Sequence, residues 1–142
     1  MSGTLGRVLV VDDSPAIRQL IRVILEMDGF EVVTAADGAE CLEAVQWYRP
    51  DVITLDRAMP RLDGPSTARR LRRDPLTRNI PLVLVSAAPG QPVGVDAVVL
   101  KPFEPAELVR LVARLRRSGS QYPVRLAKPP AGCPPLSRTL AP

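Results

Sequence analysis

Short β-branched runs alternate with helically periodic stretches over the first 117 residues, the signature of an α/β domain around a parallel sheet. Five strands are expected, at 7–12 (RVLVVD), 31–35 (EVVTA), 51–56 (DVITLD), 81–86 (PLVLVS) and 97–100 (AVVL). Continuous rather than alternating apolar character in the first, fourth and fifth predicts strands covered on both faces. Between the first two, Ile17, Leu20, Ile21, Ile24 and Leu25 recur at helical spacing, with Ser14 placed to cap, Pro15 in the first turn and Gly29 just past the end. A second helix over 37–48 should turn Ala39, Leu42 and Val45 inward, and a third over 65–73 should bury Ala68 and Leu71. In the last, over 105–117, Leu108, Leu111, Val112 and Leu115 form the stripe. Pro15, Pro65 and Pro105 all stand at helix starts, where a missing N–H costs nothing.

Residues 87–96 (AAPGQPVGVD) break this rhythm. A parallel crossover containing a helix takes at least roughly 10–12 residues. This minimal segment holds Pro89, Gly90, Pro92 and Gly94, so no regular helix is expected between the fourth and fifth strands. From Ser118 onward there is no periodicity and too little apolar bulk to offset the entropy of ordering. The expected organisation is one domain over 1–118 and a proline-rich flexible tail over 119–142, where six of the 16 prolines fall in the last 24 residues.

The 142 residues, 46% apolar and 24% charged, suit one soluble domain able to fold alone. No apolar run nears the ~18 residues of a membrane span, and the opening MSGTLGRVLVVDDS lacks a signal-peptide layout; a cytoplasmic protein without a membrane partner is expected. Histidine is absent, which removes Ser-His-Asp and Cys-His catalysis, His-containing zinc sites and a role as phosphohistidine carrier. Cys41 and Cys133 lack CxxC spacing, so neither a disulfide framework nor a cysteine–metal site is indicated. Cys41 reads as a small packed residue and Cys133 as an exposed tail thiol. The net charge of +4 hides an asymmetry: residues 1–60 carry 5 basic and 10 acidic groups, and residues 61–142 carry 14 and 5. Arg69, Arg70, Arg72 and Arg73, with Arg110, Arg114, Arg116 and Arg117, offer a basic face to nucleic acid or an acidic partner. Without a helix-turn-helix or zinc finger, and with 4% aromatic residues to stack on bases, they read better as solvated helix surface, and nucleic acid is not an expected partner.

Chemistry gathers where strands end: Asp12 and Asp13 after the first, Asp56 at the end of the third, Ser86 at the end of the fourth and Lys101 after the fifth. All carboxyl ends of a parallel sheet lie along one edge, and open α/β sheets bind ligands in the crevice where strand order reverses. Three carboxylates in one crevice raise each other's pKa unless a cation offsets them. Magnesium suits such a site, because it takes oxygen ligands, keeps waters and completes its shell with phosphate. Asp56 could then act as a nucleophile, with the Lys101 ammonium and Ser86 hydroxyl donating to the oxygens of a transferring phosphoryl group. Taken singly, each has a plainer reading: a helix-favouring charge for Asp12 and Asp13, a solvated carboxylate, a turn hydroxyl, a surface lysine. Together, at the ends of successive strands, they favour the site.

Four segments in order, VLVVDDSPAIRQLI, DVITLDRAMPRLDG, VLVSA and LKPF, resemble the receiver domains of two-component response regulators, of which stand-alone CheY-like proteins are the simplest. The resemblance spans residue 7 to about 117. It implies a flavodoxin-like, doubly wound five-stranded parallel sheet in the order 2-1-3-4-5. It implies Asp56 as phosphoacceptor, Asp12, Asp13, Asp56 and the Ala58 carbonyl as the Mg2+ site, Ser86 as switch hydroxyl and Lys101 as phosphoryl contact. Pro102 stands where the family tends to use a cis peptide bond. The implied donor is a phosphohistidine on a histidine kinase or phosphotransfer protein, and the chain is expected to be a stand-alone receiver that signals by contact with a downstream protein. Such a chain is a signalling domain rather than an enzyme, catalysing only its own phosphorylation and dephosphorylation.

Val98 stands where many receivers carry an aromatic ring that moves with the switch hydroxyl. With the helix of 87–96 also missing, little rearrangement of 87–98 on phosphorylation is expected. Ala58 and Ala88 flank the pocket where longer polar side chains can position a hydrolytic water, which predicts slow dephosphorylation. The alternative reading is a phosphorylation-independent adaptor binding through its arginine-rich helices or tail; KPPAGCPP in that tail could form polyproline II.

Overall fold

In the computed structural model, residues 5–116 are described; the expected tail, Cys133 and Arg117 lie outside them. The chain runs β1 (Arg7–Val11), α1 (Pro15–Met27), β2 (Glu31–Ala35), α2 (Gly38–Tyr48), β3 (Val52–Asp56), α3 (Gly64–Arg73), β4 (Leu82–Ser86), β5 (Ala97–Leu100) and α4 (Pro105–Leu115). All strands pair in parallel, in the order β2-β1-β3-β4-β5. This is the CheY-like flavodoxin order, and it reverses between β1 and β3.

Two apolar layers explain why the strands lack alternation. On one face Val8, Val10, Val32, Val52, Val83 and Val99 meet Ile21 and Leu25 of α1 and Leu108 and Val112 of α4. On the other, Leu9, Val11, Val33, Ile53, Leu55 and Leu84 meet Cys41, Ala44 and Val45 of α2 and Ala68 and Leu71 of α3. Successive residues of one strand therefore feed opposite cores. Cys41 is fully buried, as its packed reading requires.

Helix starts follow local chemistry. Ser14 Oγ accepts from the Ile17 N–H at 3.3 Å, Asp37 Oδ1 from Glu40 at 2.9 Å and Asp63 Oδ1 from Ser66 at 2.8 Å, each satisfying an orphan amide of a first turn. Glu40 reaches back to the Ala36 N–H at 2.8 Å. Gly29, closing α1, has φ of +101°, a region that favours glycine.

Three expectations of facing need correction. Ala39 is exposed and Leu42 only half-buried, while Cys41, Ala44, Val45 and Tyr48 carry the inward face of α2. Glu40, Glu43 and Gln46 form a polar stripe opposite that face, with Ala39 beside them, so the polar positions rather than the apolar ones mark the rotation of α2. At Gly38 a Cβ would lie 2.2 Å from Thr67 Oγ1 and 2.7 Å from the Leu62 carbonyl, so only glycine lets α2 meet α3 this closely. In α1, Leu20 is 48% exposed, at the rim of the stripe. In β5, Leu100 is 47% exposed. It shares the face of Val98, and no helix stands between β4 and β5 to cover that edge.

Arg72 holds the segment where that helix is missing. Its guanidinium donates to the carbonyls of Gly94 at 2.8 Å and of Arg78 and Ile80 at 2.7 Å, and to Asp96 Oδ2 at 2.7 Å. Asp96 Oδ2 also accepts from the Leu82 N–H at 2.8 Å, and Val95 is buried against the core. Of its three carbonyl partners, Gly94 lies in the helix-free segment while Arg78 and Ile80 precede β4, so one arginine of α3 ties that segment to the chain entering β4.

Candidate functional site

Three parallel ladders continue past the strands they join and bring the site residues together. The Asp12 N–H donates to the Ala35 carbonyl at 3.1 Å, the Arg57 N–H to Val85 at 3.0 Å and the Lys101 N–H to Ser86 at 2.8 Å. Asp12 and Asp13 leave β1 while Asp56 ends β3, the two strands between which sheet order reverses. Carboxylate oxygens of all three lie within 4.8 Å of one another. Lys101 Nζ, arriving from β5, donates to Asp56 Oδ1 at 2.9 Å.

Asp12 is 1% exposed and Asp56 6%, whereas Asp13 opens to solvent. Asp12 Oδ1 accepts from the Ser14 N–H at 2.9 Å, but its buried Oδ2 has no hydrogen-bond partner among the described residues. Burial pushes the Asp12 carboxyl up to about 6, with Asp56 and Asp13 adding to the rise against the pull of the Ser14 N–H and Lys101. Burial raises Asp56 as well, and Asp13 adds to that rise while Lys101 opposes it. Three carboxylates facing one ammonium, with an orphaned buried oxygen among them, fit a divalent cation taking oxygen ligands.

Ala58 borders the open cleft that Asp13, Arg57, Met59 and Asp63 also line. Lys101–Pro102 is a cis peptide. Val98 is part-buried against the α2–α3 core. Ser86 is fully buried, and its hydroxyl is committed away from Asp56: Oγ donates to the Ala88 carbonyl at 2.7 Å and accepts from the Ala88 N–H at 3.0 Å and from Arg57 Nε at 2.7 Å.

Sequence reasoning passed over three residues that shape the site. Arg57 holds Ser86. Arg18 Nη1 donates to the Asp12 carbonyl at 2.8 Å, tying α1 to the end of β1. At Gly64 a Cβ would sit 2.4 Å from the Asp56 carbonyl oxygen, so glycine lets α3 start against the end of β3. The signal for Gly64 was present in the DG that follows the third strand; neither arginine carries a local one. Arg61, at φ of +69°, pairs with Asp37 and braces the loop after β3 against the start of α2.

The model of the response regulator receiver domain family matches residues 8–113. The chain is 40% identical over 130 residues to the phosphate regulon transcriptional regulatory protein PhoB of Pseudomonas aeruginosa, covering 84% of this chain and 57% of that protein. It is 38% identical over 120 residues to the DNA-binding response regulator MtrA of Mycolicibacterium smegmatis, covering 79% and 51%. The chain thus spans about half the length of the curated relatives it matches. Among solved structures, the chemotaxis response regulator CheY4 of Vibrio cholerae superposes with a TM-score of 0.74 at 34% identity, covering 79% of this chain and 99% of that one. The receiver domain of the sensor histidine kinase PA1611 of Pseudomonas aeruginosa PAO1, solved with magnesium coordinated in its active site cleft, gives 0.73 at 30% identity, covering 78% and 96%. With five parallel strands in the matching order and an acidic cluster at the point of reversal, this chain belongs to the response regulator receiver domain family of two-component systems.

Proposed function

We propose that this receiver accepts a phosphoryl group on Asp56 from a phosphohistidine of a histidine kinase or phosphotransfer protein in the cytoplasm, and passes that state to a partner protein. The observation that carries this reading is the 2.9 Å contact of Lys101 Nζ with Asp56 Oδ1 beside the Asp12–Asp13–Asp56 cluster. Asp12, Asp13, Asp56 and the Ala58 carbonyl would hold Mg2+, which when bound offsets the carboxylates and the charge of the incoming phosphoryl oxygens.

The chain's own groups do the rest. A carboxylate oxygen of Asp56 attacks phosphorus while the phosphorus–nitrogen bond to the donor ring breaks, and the ring, already protonated on its other nitrogen, leaves as neutral imidazole with the bonding electron pair. Lys101 orients Asp56 before transfer and then donates to a phosphoryl oxygen. Ser86 can donate there once its hydroxyl leaves Ala88. Water attacking phosphorus later releases phosphate and restores the carboxylate. Ala58 and Ala88 offer no side-chain group to orient that water, which supports slow dephosphorylation. Output by protein contact is favoured over nucleic acid because Arg72 and Arg116 of the basic helices spend their guanidinium groups on this chain's own backbone carbonyls.

Incubation with acetyl phosphate and Mg2+, read by intact-mass spectrometry, tests this. One phosphoryl mass should appear on the wild type, and none on Asp56→Asn or after chelation. No gain on the wild type overturns the reading and favours a phosphorylation-independent adaptor.

A further inference from the structure

The side chain of Arg57 joins two places that phosphorylation of its neighbour would separate. Its Nε donates to Ser86 Oγ at 2.7 Å, and its Nη2 to the Gly90 carbonyl at 2.8 Å. We propose that Arg57 is a positioning residue that senses the state of Asp56 through the Ser86 hydroxyl and transmits it to the 87–90 segment. This rests on the phosphoacceptor reading above.

A serine hydroxyl has one proton and two lone pairs. Here all three are in use: the proton goes to the Ala88 carbonyl, and the lone pairs accept from the Ala88 N–H and Arg57 Nε. The hydroxyl therefore cannot turn its proton to a phosphoryl oxygen on Asp56 while keeping these partners. Once Oγ swings toward the phosphoryl group, Arg57 Nε loses its acceptor in a part-buried setting, where an unpaired cationic donor is costly. Asp13, clustered with Asp56, lines the open cleft at the site, so a phosphoryl group on Asp56 would be a strong acceptor at hand, and its geometry suits a guanidinium. Arg57 begins one residue from Asp56 and already lines that cleft with Asp13 and Ala58.

Movement of the guanidinium releases the Gly90 carbonyl. Gly90 lies at φ of +110° in an exposed stretch with no helix to hold it. The missing ring at Val98 by itself predicts a quiet segment; Arg57 supplies a link that needs no ring. It places the response at 87–90, on the surface beside the site.

Nuclear magnetic resonance on the full chain tests the proposal, with the beryllium trifluoride anion and Mg2+ as the phosphoryl stand-in. In the wild type, the Arg57 Nε–H and Gly90 carbonyl resonances should shift together with the amides of Asp12, Asp13 and Asp56. In Arg57→Lys, which keeps the charge but loses the two-pronged donor, the site amides should still respond while the Gly90 shift falls several-fold. Ser86→Ala, without any ligand, should move the Gly90 carbonyl toward its liganded position. If the site amides respond but Gly90 is still, or responds equally in Arg57→Lys, the lever is overturned and the receiver reading stands. If nothing responds, the phosphoacceptor reading falls and the lever with it.

Discussion

A carboxylate that is 1% exposed and has one oxygen unpartnered is held in a fold at a cost, and Asp12 is such a group. Its pKa in the fold, about 6, lies above the ordinary 3.8, so the metal-free fold holds a proton that the unfolded chain releases. Asp12 thus favours the fold fully below pH 3.8, and that contribution is lost as pH rises through about 6. Asp56, also raised, has the same sign. Asp63 is lowered chiefly by hydrogen bonds from Ser66, and Asp37 is lowered because bonds from Arg61 and Glu40 outweigh its burial; both act oppositely, stabilising at higher pH and losing that effect as pH falls. Comparison with Asp12→Asn isolates the one group. In chelator, the variant's melting temperature should gain on the wild type as pH rises through about 6, and a flat difference would remove burial as the cause. A second test concerns Gly64, where a Cβ would press on the Asp56 carbonyl oxygen at 2.4 Å and Leu84 Cδ1 at 2.9 Å. Gly64→Ala should cost about 1–3 kcal/mol as overpacking, read from the urea midpoint, and should slow acetyl phosphate labelling of Asp56. Asp12, Asp13, Asp56 and Lys101 were legible because strand ends are legible, and a parallel sheet aligns them. Arg57 was not, since its partner Ser86 lies 29 residues away and nothing local marks the pairing.

Among the elements, strands and helix starts follow closely from sequence because their determinants are local: β-branched runs, Asp and Ser caps, proline in a first turn. The rotation of α2 is marked only on its polar side, by Glu40, Glu43 and Gln46, because apolar Ala39 and Leu42 sit beside that stripe. Close approach of Gly38 to Thr67 sets how near the helix comes to α3. The segment 87–96 shows the complementary case. Its prolines and glycines say that no helix forms but not what replaces it, and the answer is a side chain of α3. Arg72→Ala removes one charged partner and three carbonyl contacts, and should cost about 2–3 kcal/mol, since hydrogen bonds to charged groups are worth about 1.5–3 kcal/mol each and do not add. The urea midpoint should drop at unchanged slope, and amide exchange at 94–97 should quicken. Unchanged exchange there would show that Val95 in the core holds the segment without Arg72.

For the whole molecule, the doubly wound order does what no single element can. It sets β1 beside β3 at the reversal, so that Asp12 and Asp13 face Asp56, and it leaves β5 close enough for Lys101 to reach across. A cation bound only in the fold must stabilise it: at Mg2+ about 100 times its Kd, linkage adds ~2.7 kcal/mol. Thermal unfolding should therefore shift upward with Mg2+, return on chelation, and lose most of the shift in Asp13→Asn, the exposed member of the cluster. Absence of any shift in the wild type would remove the metal from the site. The sequence by itself determined the elements and their order, the chemical groups at the sheet edge and the break at 87–96, because each depends on residues near one another in the chain. Tertiary structure alone decided how closely α2 meets α3 at Gly38, how Arg72 ties the helix-free segment to α3 and where the single proton of Ser86 points. Those outcomes turn on distances of a few ångströms between distant segments, which no pattern along the chain encodes.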